Sequence, residues 1–480
     1  MQRIQRIPIV LSLMLSLCGG LVGCSTLAPS YNRPAAPVPT SWQKDAGVPG
    51  EPAASGQQDA ADIPWQDFYL NPRLRKVIAM GLVHNRDLRV AALNVERAQA
   101  QYRIQRSELV PKVDAEGAGN FQRQPADFSS SGEAEKIHQY TVGLGVTSYE
   151  LDLFGRLRSL KDQALEEYLA TGQAQRSARI SLIAQIAAAD LTLAADRELL
   201  QLAEETMKTQ EESYRLIQKR FELGASSELE LREAQTQVES ARVDVARFST
   251  QVAQDEDSLN LLVGAQVPAD LLPASLTDEV ATLEGITPGL SSEILLRRPD
   301  VLQAENVLKG YNANIGAARA AYFPRIVLVG SLGSGSKELS GLFSTGSGSW
   351  AFAPSIDLPI FDAGARAAQL QVAEIDRDIA IAQYEKAIQT AFREVADTLV
   401  QRGNVERQLA AQQALREATE KRYLLARERY AKGVDSHLAV LDAQRSLYSA
   451  QQGVVGVRLT RLTNLVSLYK ALGGGVKTEN

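Results

Sequence analysis

The sequence predicts a mainly α-helical protein with a small membrane β part, in which a unit of strand, strand, long helix and short helix occurs twice. Three observations predict this. Arg220, Phe221, Gly224 and Ala234 recur as Arg429, Tyr430, Gly433 and Ala443, and Leu262 and Gly264 recur as Ala471 and Gly473, all at one constant offset. Two proline-free helical stretches, Gly155 to Phe221 and Gly364 to Ala431, are each roughly 100 Å long at 1.5 Å per residue, which no compact domain holds. Between the helices lie four short segments that alternate polar and apolar residues, two in each copy.

The first residues set the compartment. Arg3 and Arg6 precede an apolar run from Ile7 to Val22, which reads as a secretory signal over residues 1–23 and is shorter than the roughly 20 residues of a membrane span. Leu21, Val22, Gly23 and Cys24 form a lipoprotein cleavage pattern, so Cys24 is expected to carry an N-acyl and an S-diacylglycerol group, of the palmitate kind. Ser25 stands where an aspartate would favour retention in the inner membrane, so the mature chain is expected in the outer membrane. Cys18 leaves with the signal and the lipid occupies Cys24, so no disulfide is expected. A formal net charge of −6 argues against nucleic acid as a partner. Beyond the signal, no stretch reads as apolar for long enough to be a membrane helix, so any membrane crossing must be a barrel.

Residues 24–62, with Pro29, Pro34, Pro37 and Pro39, read as an extended linker, and order is expected from about Trp65. The first repeat covers 63–264. It opens with a short helix over Asn85 to Val110, places strands at about 113–123 and 139–150, and continues through the long helix into a short one, Glu228 to Val263. In the long helix Leu182, Ile186, Ala189, Leu193, Leu200, Ala203 and Met207 keep a three-four spacing, interrupted once by Asp196, which calls for a neighbouring helix. Residues 265–290, with Pro268, Pro273 and Pro288, form an equatorial linker. The second repeat, 291–473, has a short helix over Ser291 to Tyr322, strands at about 325–334 and 349–358, the second long helix and a short one, Leu438 to Leu472, before a tail of 474–480. Gln124 to Lys136 and Ser334 to Gly348 are polar and read as hairpin loops.

Four strands cannot close a membrane barrel, which needs about eight, and an open edge in lipid leaves backbone groups unpaired. Several chains must therefore share one barrel, and three would give twelve strands.

A family resemblance now becomes specific. Asn85-Arg86-Asp87-Leu88, Tyr149-Glu150-Leu151-Asp152-Leu153-Phe154-Gly155-Arg156, Arg297-Arg298-Pro299-Asp300, Ala317-Ala318-Arg319-Ala320-Ala321-Tyr322-Phe323-Pro324 and Tyr469-Lys470-Ala471-Leu472-Gly473-Gly474 resemble the signatures of the outer membrane factor (TolC-like) family, in its OprM-type efflux lipoproteins of resistance-nodulation-division pumps. The likeness covers essentially the whole mature chain; Val476 departs from it, where a tryptophan is common. It implies a homotrimer with a 12-stranded β-barrel continued by a long α-helical barrel. It implies a passive channel for drugs or other small amphiphilic compounds, and hence antibiotic resistance. The partners implied are a periplasmic membrane-fusion adaptor, an inner-membrane resistance-nodulation-division transporter and outer-membrane lipid.

By the same resemblance, Leu438 and Asp442, one helical turn apart, match the residues of the periplasmic aperture. The alternative for them is a seam leucine beside a solvated acid. The turns Gly224-Ala225-Ser226 and Gly433-Val434-Asp435-Ser436 match the tips that dock the adaptor. No enzyme is expected, since no nucleophile adjoins a base. No metal or other cofactor is expected either, since His84, His138 and His437 lack ligand spacing. The glycines around Gly330, Gly333 and Gly335 lack the ending of a phosphate loop. The rival readings are a periplasmic coiled-coil structural lipoprotein and a duct for another export system; cargo and pump stay open.

Overall fold

A computed structural model describes residues 26–42, 62–276 and 291–475; Cys24 and most of the proline-rich segment lie outside them. The helices are α1 (Trp65–Phe68), α2 (Pro72–His84), α3 (Arg86–Ser107), α4 (Arg156–Glu222), α5 (Glu228–Val263), α6 (Pro299–Ala320), α7 (Ala365–Ala431) and α8 (His437–Ala471). The strands are β1 (Asp114–Gln124), β2 (Glu135–Glu150), β3 (Arg325–Ser336) and β4 (Gly348–Asp357). Both long helices, α4 and α7, run for 67 residues.

Three local expectations need correction. Strand β2 begins at Glu135, inside the expected hairpin loop, because Gln122, Arg123 and Gln124 extend the ladder onto Ile137, Lys136 and Glu135. The helix expected over Ser291 to Tyr322 is broken: a 3-10 turn, Ser292–Arg297, precedes α6. Pro299 is the cause, since it forces Arg298 into an extended conformation (φ −66°, ψ 137°). Helix α2 was not expected at all. Asn71 caps it by accepting from the Arg73 and Leu74 amides, Pro72 opens it, and Asn85 ends it in an extended conformation before capping α3.

The chain divides into two compact units. One draws on Met1–Ala35, Val95–Thr171 and Ala304–Tyr384. It holds the four-stranded sheet and a strap made from the start of the proline-rich segment, which corrects the expectation that order begins near Trp65. The Pro29 carbonyl accepts from Asn312 Nδ2 at 2.8 Å, and Gly316 has no Cβ because one would lie 2.7 Å from the Ala28 nitrogen. Arg33 grips Glu305 through two bonds of 2.9 and 2.8 Å, while Lys309 and the Tyr31 hydroxyl reach the same carboxylate. Burial works against the charge of Glu305, which is 3% exposed, but the Arg33 guanidinium and the Lys309 ammonium outweigh it and hold the carboxyl below its usual range. Proline lowers the entropy of the free strap, and these contacts then fix it.

The other unit draws on Ala36–Asn94, Gly172–Gln303 and Glu385–Asn480. Its core is the middle of α4, where Leu182, Ile183, Ile186, Ala187, Leu193 and Ala203 are buried, with Val238, Leu259 and Val263 of α5 and Leu462 of α8. This stretch overturns the expectation that no later segment reaches membrane-helix hydropathy. An 18-residue window of α4 has a mean hydropathy of 1.4, and 61% of it is buried in protein. The seam is apolar on several sides because several helices cover it.

Aromatic and guanidinium anchors tie the irregular segments to this core. Trp42 stacks on Phe392 at 5.1 Å and donates to its carbonyl. Phe68 stacks on Tyr469 at 3.9 Å, and the Tyr469 hydroxyl donates to the Ile63 carbonyl at 2.7 Å. Arg73 binds both oxygens of buried Asp190 and the Leu271 carbonyl.

Candidate functional site

The sheet has the order β1-β2-β3-β4, antiparallel throughout, so among the described residues β1 and β4 each have one unpaired edge. Register sorts its side chains into two faces. One row joins Ala115, Leu144, Leu332 and Trp350, and the next on that face joins Val146, Gly330 and Phe352. Ile326 and Ile356 extend the same face. The other face carries Glu116, Gly143, Gly333 and Ser349, then Ala118, Thr141 and Gly335, then Asn120 and Gln139.

Leu332, Trp350, Phe352 and Ile356 are all more than half exposed, so the apolar face has nothing packed on it in the single chain. Two glycines let the strands pass closely on the polar face: a Cβ on Gly333 would lie 2.8 Å from the Gly143 Cα and closer still to the Val142 carbonyl oxygen. An extra residue between Val146 and Tyr149 forms a bulge, which returns Tyr149 to the apolar face opposite Leu328.

In the other unit the two copies end their long helices in the same hydrogen-bonded turn. The Gly224 amide donates to the Phe221 carbonyl and the Ala225 amide to that of Arg220; the Gly433 amide donates to Tyr430 and the Val434 amide to Arg429. Gly224 (φ +72°) and Gly433 (φ +74°) occupy the left-handed region, where L side chains are strained, and a Cβ on either would meet no neighbour. Ser226 bonds to Glu230, and Ser227 caps α5. Asp435 pairs with Arg429 at 2.6 Å, and that guanidinium holds its carboxyl low. Ser436 is the residue before α8.

Sequence reasoning missed His437 here. It is 3% exposed, 5.1 Å from the Tyr430 ring, with Nε2 3.4 Å from the Ser213 hydroxyl and Nδ1 unpartnered. Burial lowers its pKa, Glu230 opposes that and Arg220 adds to it. A histidine next to a turn carries no local sign of burial, because the burying groups come from other helices. His84 is exposed, and His138 lies edge-on to Phe121. Among the described residues no group of three or more His, Cys, Asp or Glu could hold a metal ion.

Leu438 is 57% exposed, and Asp442 follows it one turn later on α8. Both line a cavity of about 580 Å³. Asp442 is not a lone acid. It accepts from Arg422 of α7 and from Arg445 at 2.8 Å, and the Arg422 guanidinium, then Arg445, hold its carboxyl below the usual range. Arg445 was legible as the i+3 neighbour of Asp442. Arg422 was not, because it arrives from a different helix.

Comparison with known proteins follows the same outline. The model of the family described as outer membrane efflux protein matches residues 77–265 and 290–474. The chain is 49% identical over 464 residues to the toluene efflux pump outer membrane protein TtgC of Pseudomonas putida, covering 96% of this chain and 95% of that one. It is 44% identical to outer membrane protein OprJ of Pseudomonas aeruginosa, covering 95% and 94%. Among solved structures it is similar to the open state of the Neisseria gonorrhoeae MtrE outer membrane channel, with a TM-score of 0.84 and 40% identity over 94% of this chain and 99% of that one.

Proposed function

We infer function from a premise: this chain belongs to the outer membrane efflux protein family. It is an outer-membrane efflux channel component, and we propose that it works as a homotrimer. Three four-stranded sheets close one 12-stranded barrel, apolar face to lipid and polar face to the lumen, and the long helices continue it as a helical barrel. The observation that carries this reading is the sheet: its leucine, tryptophan and phenylalanine side chains lie on one side and its Glu, Asn, Gln and Thr on the other, and it is four strands wide and open at both edges. In lipid such edges must be paired, and only another copy of the same sheet supplies matching strands.

Transport through such a lumen makes and breaks no covalent bond, so the chain's residues anchor, dock and gate. Cys24 carries the lipid anchor, which adds to a hold the barrel already has on the membrane. The turns at Gly224-Ala225-Ser226 and Gly433-Val434-Asp435-Ser436 meet a periplasmic adaptor, which links the channel to an inner-membrane transporter. Leu438 and Asp442 narrow the periplasmic opening. Arg422 of α7 and Arg445 of α8 itself neutralise Asp442, so the closed ring is held by the Arg422–Asp442 pair between the two helices and opens when it separates.

The test is purification in detergent followed by insertion into a planar bilayer. A heat-resistant trimer with discrete conductance steps is expected, and a conductance that rises when Leu438 and Asp442 are both replaced by alanine. A monomer without conductance would overturn the barrel. Unchanged conductance in the double variant would move the constriction elsewhere.

A further inference from the structure

One cleft lies apart from the sheet, the turns and the constriction. It is a cavity of about 580 Å³ between the corner of α2 and α3 and one side of α4, lined among others by Leu82, Val83, Leu88, Arg89, Arg176 and Arg179. Three guanidinium groups thus face one space, and no acidic residue lines it. Arg179 Nε is buried without a hydrogen-bond partner. Arg176 has only a 3.5 Å contact with Gln173. Arg89 makes no side-chain bond among the described residues and is exposed. The other polar lining residues are Gln175 and Asn85, and Asn85 is already used: its oxygen caps Leu88 and its amide donates to the Leu262 carbonyl.

Elsewhere in this unit Arg73 is paired with Asp190 and Arg298 with Asp300 and Glu394. A partly buried guanidinium left without an acceptor is costly, and an oxyanion is its natural complement. Burial depresses the pKa of Arg179 and no carboxylate offsets it. The first turn of α3 lies at the same corner, and its amide ends favour negative charge. Leu82, Val83 and Leu88 supply an apolar wall, and the volume suits a small organic molecule.

We propose that this cleft is a binding site for an organic anion, a carboxylate or phosphate head on an apolar body, held by Arg89, Arg176 and Arg179. The site does not depend on the lumen or its constriction, so its failure would leave the channel reading intact. The head could come from a free molecule or from Glu479, four residues beyond Gly475, which also lines the cleft.

The experiment is a fluorescence titration of the full-length protein in lipid nanodiscs with 2-naphthoate, 2-naphthyl phosphate and the uncharged 2-naphthamide. Saturable binding of at least one anion is expected, weakened by salt and at least about tenfold tighter than the amide. R176Q/R179Q is expected to lose about tenfold or more, and R89Q, at an exposed position, about threefold. If E479Q tightens binding of the added anion, the site stands and its resident head is Glu479; if E479Q changes nothing, the ligand is a free molecule. Equal affinity for naphthoate, naphthyl phosphate and naphthamide would overturn the proposal. So would unchanged anion binding in both R176Q/R179Q and R89Q, or no saturable binding of either anion.

Discussion

Arg298 offers the sharpest quantitative test of how the end of α8 is held. Its side chain is 8% exposed and makes four bonds: Nε to Asp300 at 3.0 Å, Nη2 to Asp300 and to Glu394 at 2.7 Å each, and Nη1 to the Ala471 carbonyl at 2.6 Å. R298M keeps the apolar stem and deletes all four. Removing one partner of a buried ion pair costs about 3–5 kcal/mol. Here the two carboxylates keep 38% and 41% exposure and can rehydrate, so the cost falls to about 2–3 kcal/mol. Ala471 is the last residue of α8, and its carbonyl has no other side-chain donor among the described residues. The loss should therefore appear as local opening of the last helical turn. Hydrogen exchange at the amides of 468–472 should accelerate by about 30- to 150-fold, while amides in the middle of α4 change little. R298K, which keeps charge but not the planar fork, should recover less than half of the loss in free energy. Acceleration below about threefold in R298M, or full recovery in R298K, would refute the claim that the guanidinium fork staples this end.

Three further outcomes follow from titratable groups. Asp196 of α4 faces Asp255 of α5; burial, then the hydrogen bond to Asp255, raise its pKa to about 7, against an ordinary 3.8. Its folded value is raised, so its contribution to stability is full below about pH 4 and lost as pH rises through about 7; D196N should raise the melting temperature at pH 8 and leave it nearly unchanged at pH 4. Glu305 has a lowered folded value, so the strap's hold is present above the ordinary 4.5 and lost as pH falls through the folded value; R33A should expose 27–42 to limited proteolysis at neutral pH, and equal cleavage rates would contradict the strap. His437 is held neutral below its ordinary 6.5, so the packing at the start of α8 weakens as pH falls from 6.5 through the folded value. Hydrogen exchange at 437–441 should quicken on acidification in the native chain and lose that slope in H437Q.

What the sequence disclosed and what it hid divide along a physical line. Helices α4, α5, α7 and α8 and the two faces of the sheet were legible because each is a local period, three-four or two, sustained over many residues. Both turn glycines were legible for the same reason, since positive φ is a property of one residue and its absent side chain. The strap over α6, the burial of His437, the Arg422 partner of Asp442 and the unpaired guanidinium of Arg179 were not. In each, the deciding neighbour lies on another element: Glu305 is separated from Arg33 by 272 positions, and Arg422 from Asp442 by 20, across a turn. Proline-rich composition signalled an extended segment but could not reveal that Gly316 leaves room for it. The reading of hydropathy fell short once, in α4, where a window apolar enough for a membrane helix exists and is 61% buried in protein. Function in this chain rests on the second kind of feature. Alternation builds a sheet with two unlike faces, but the gating proposed for Leu438 and Asp442 rests on the Arg422–Asp442 pair across two helices, and that pair depends on which helices the duplicated fold sets side by side.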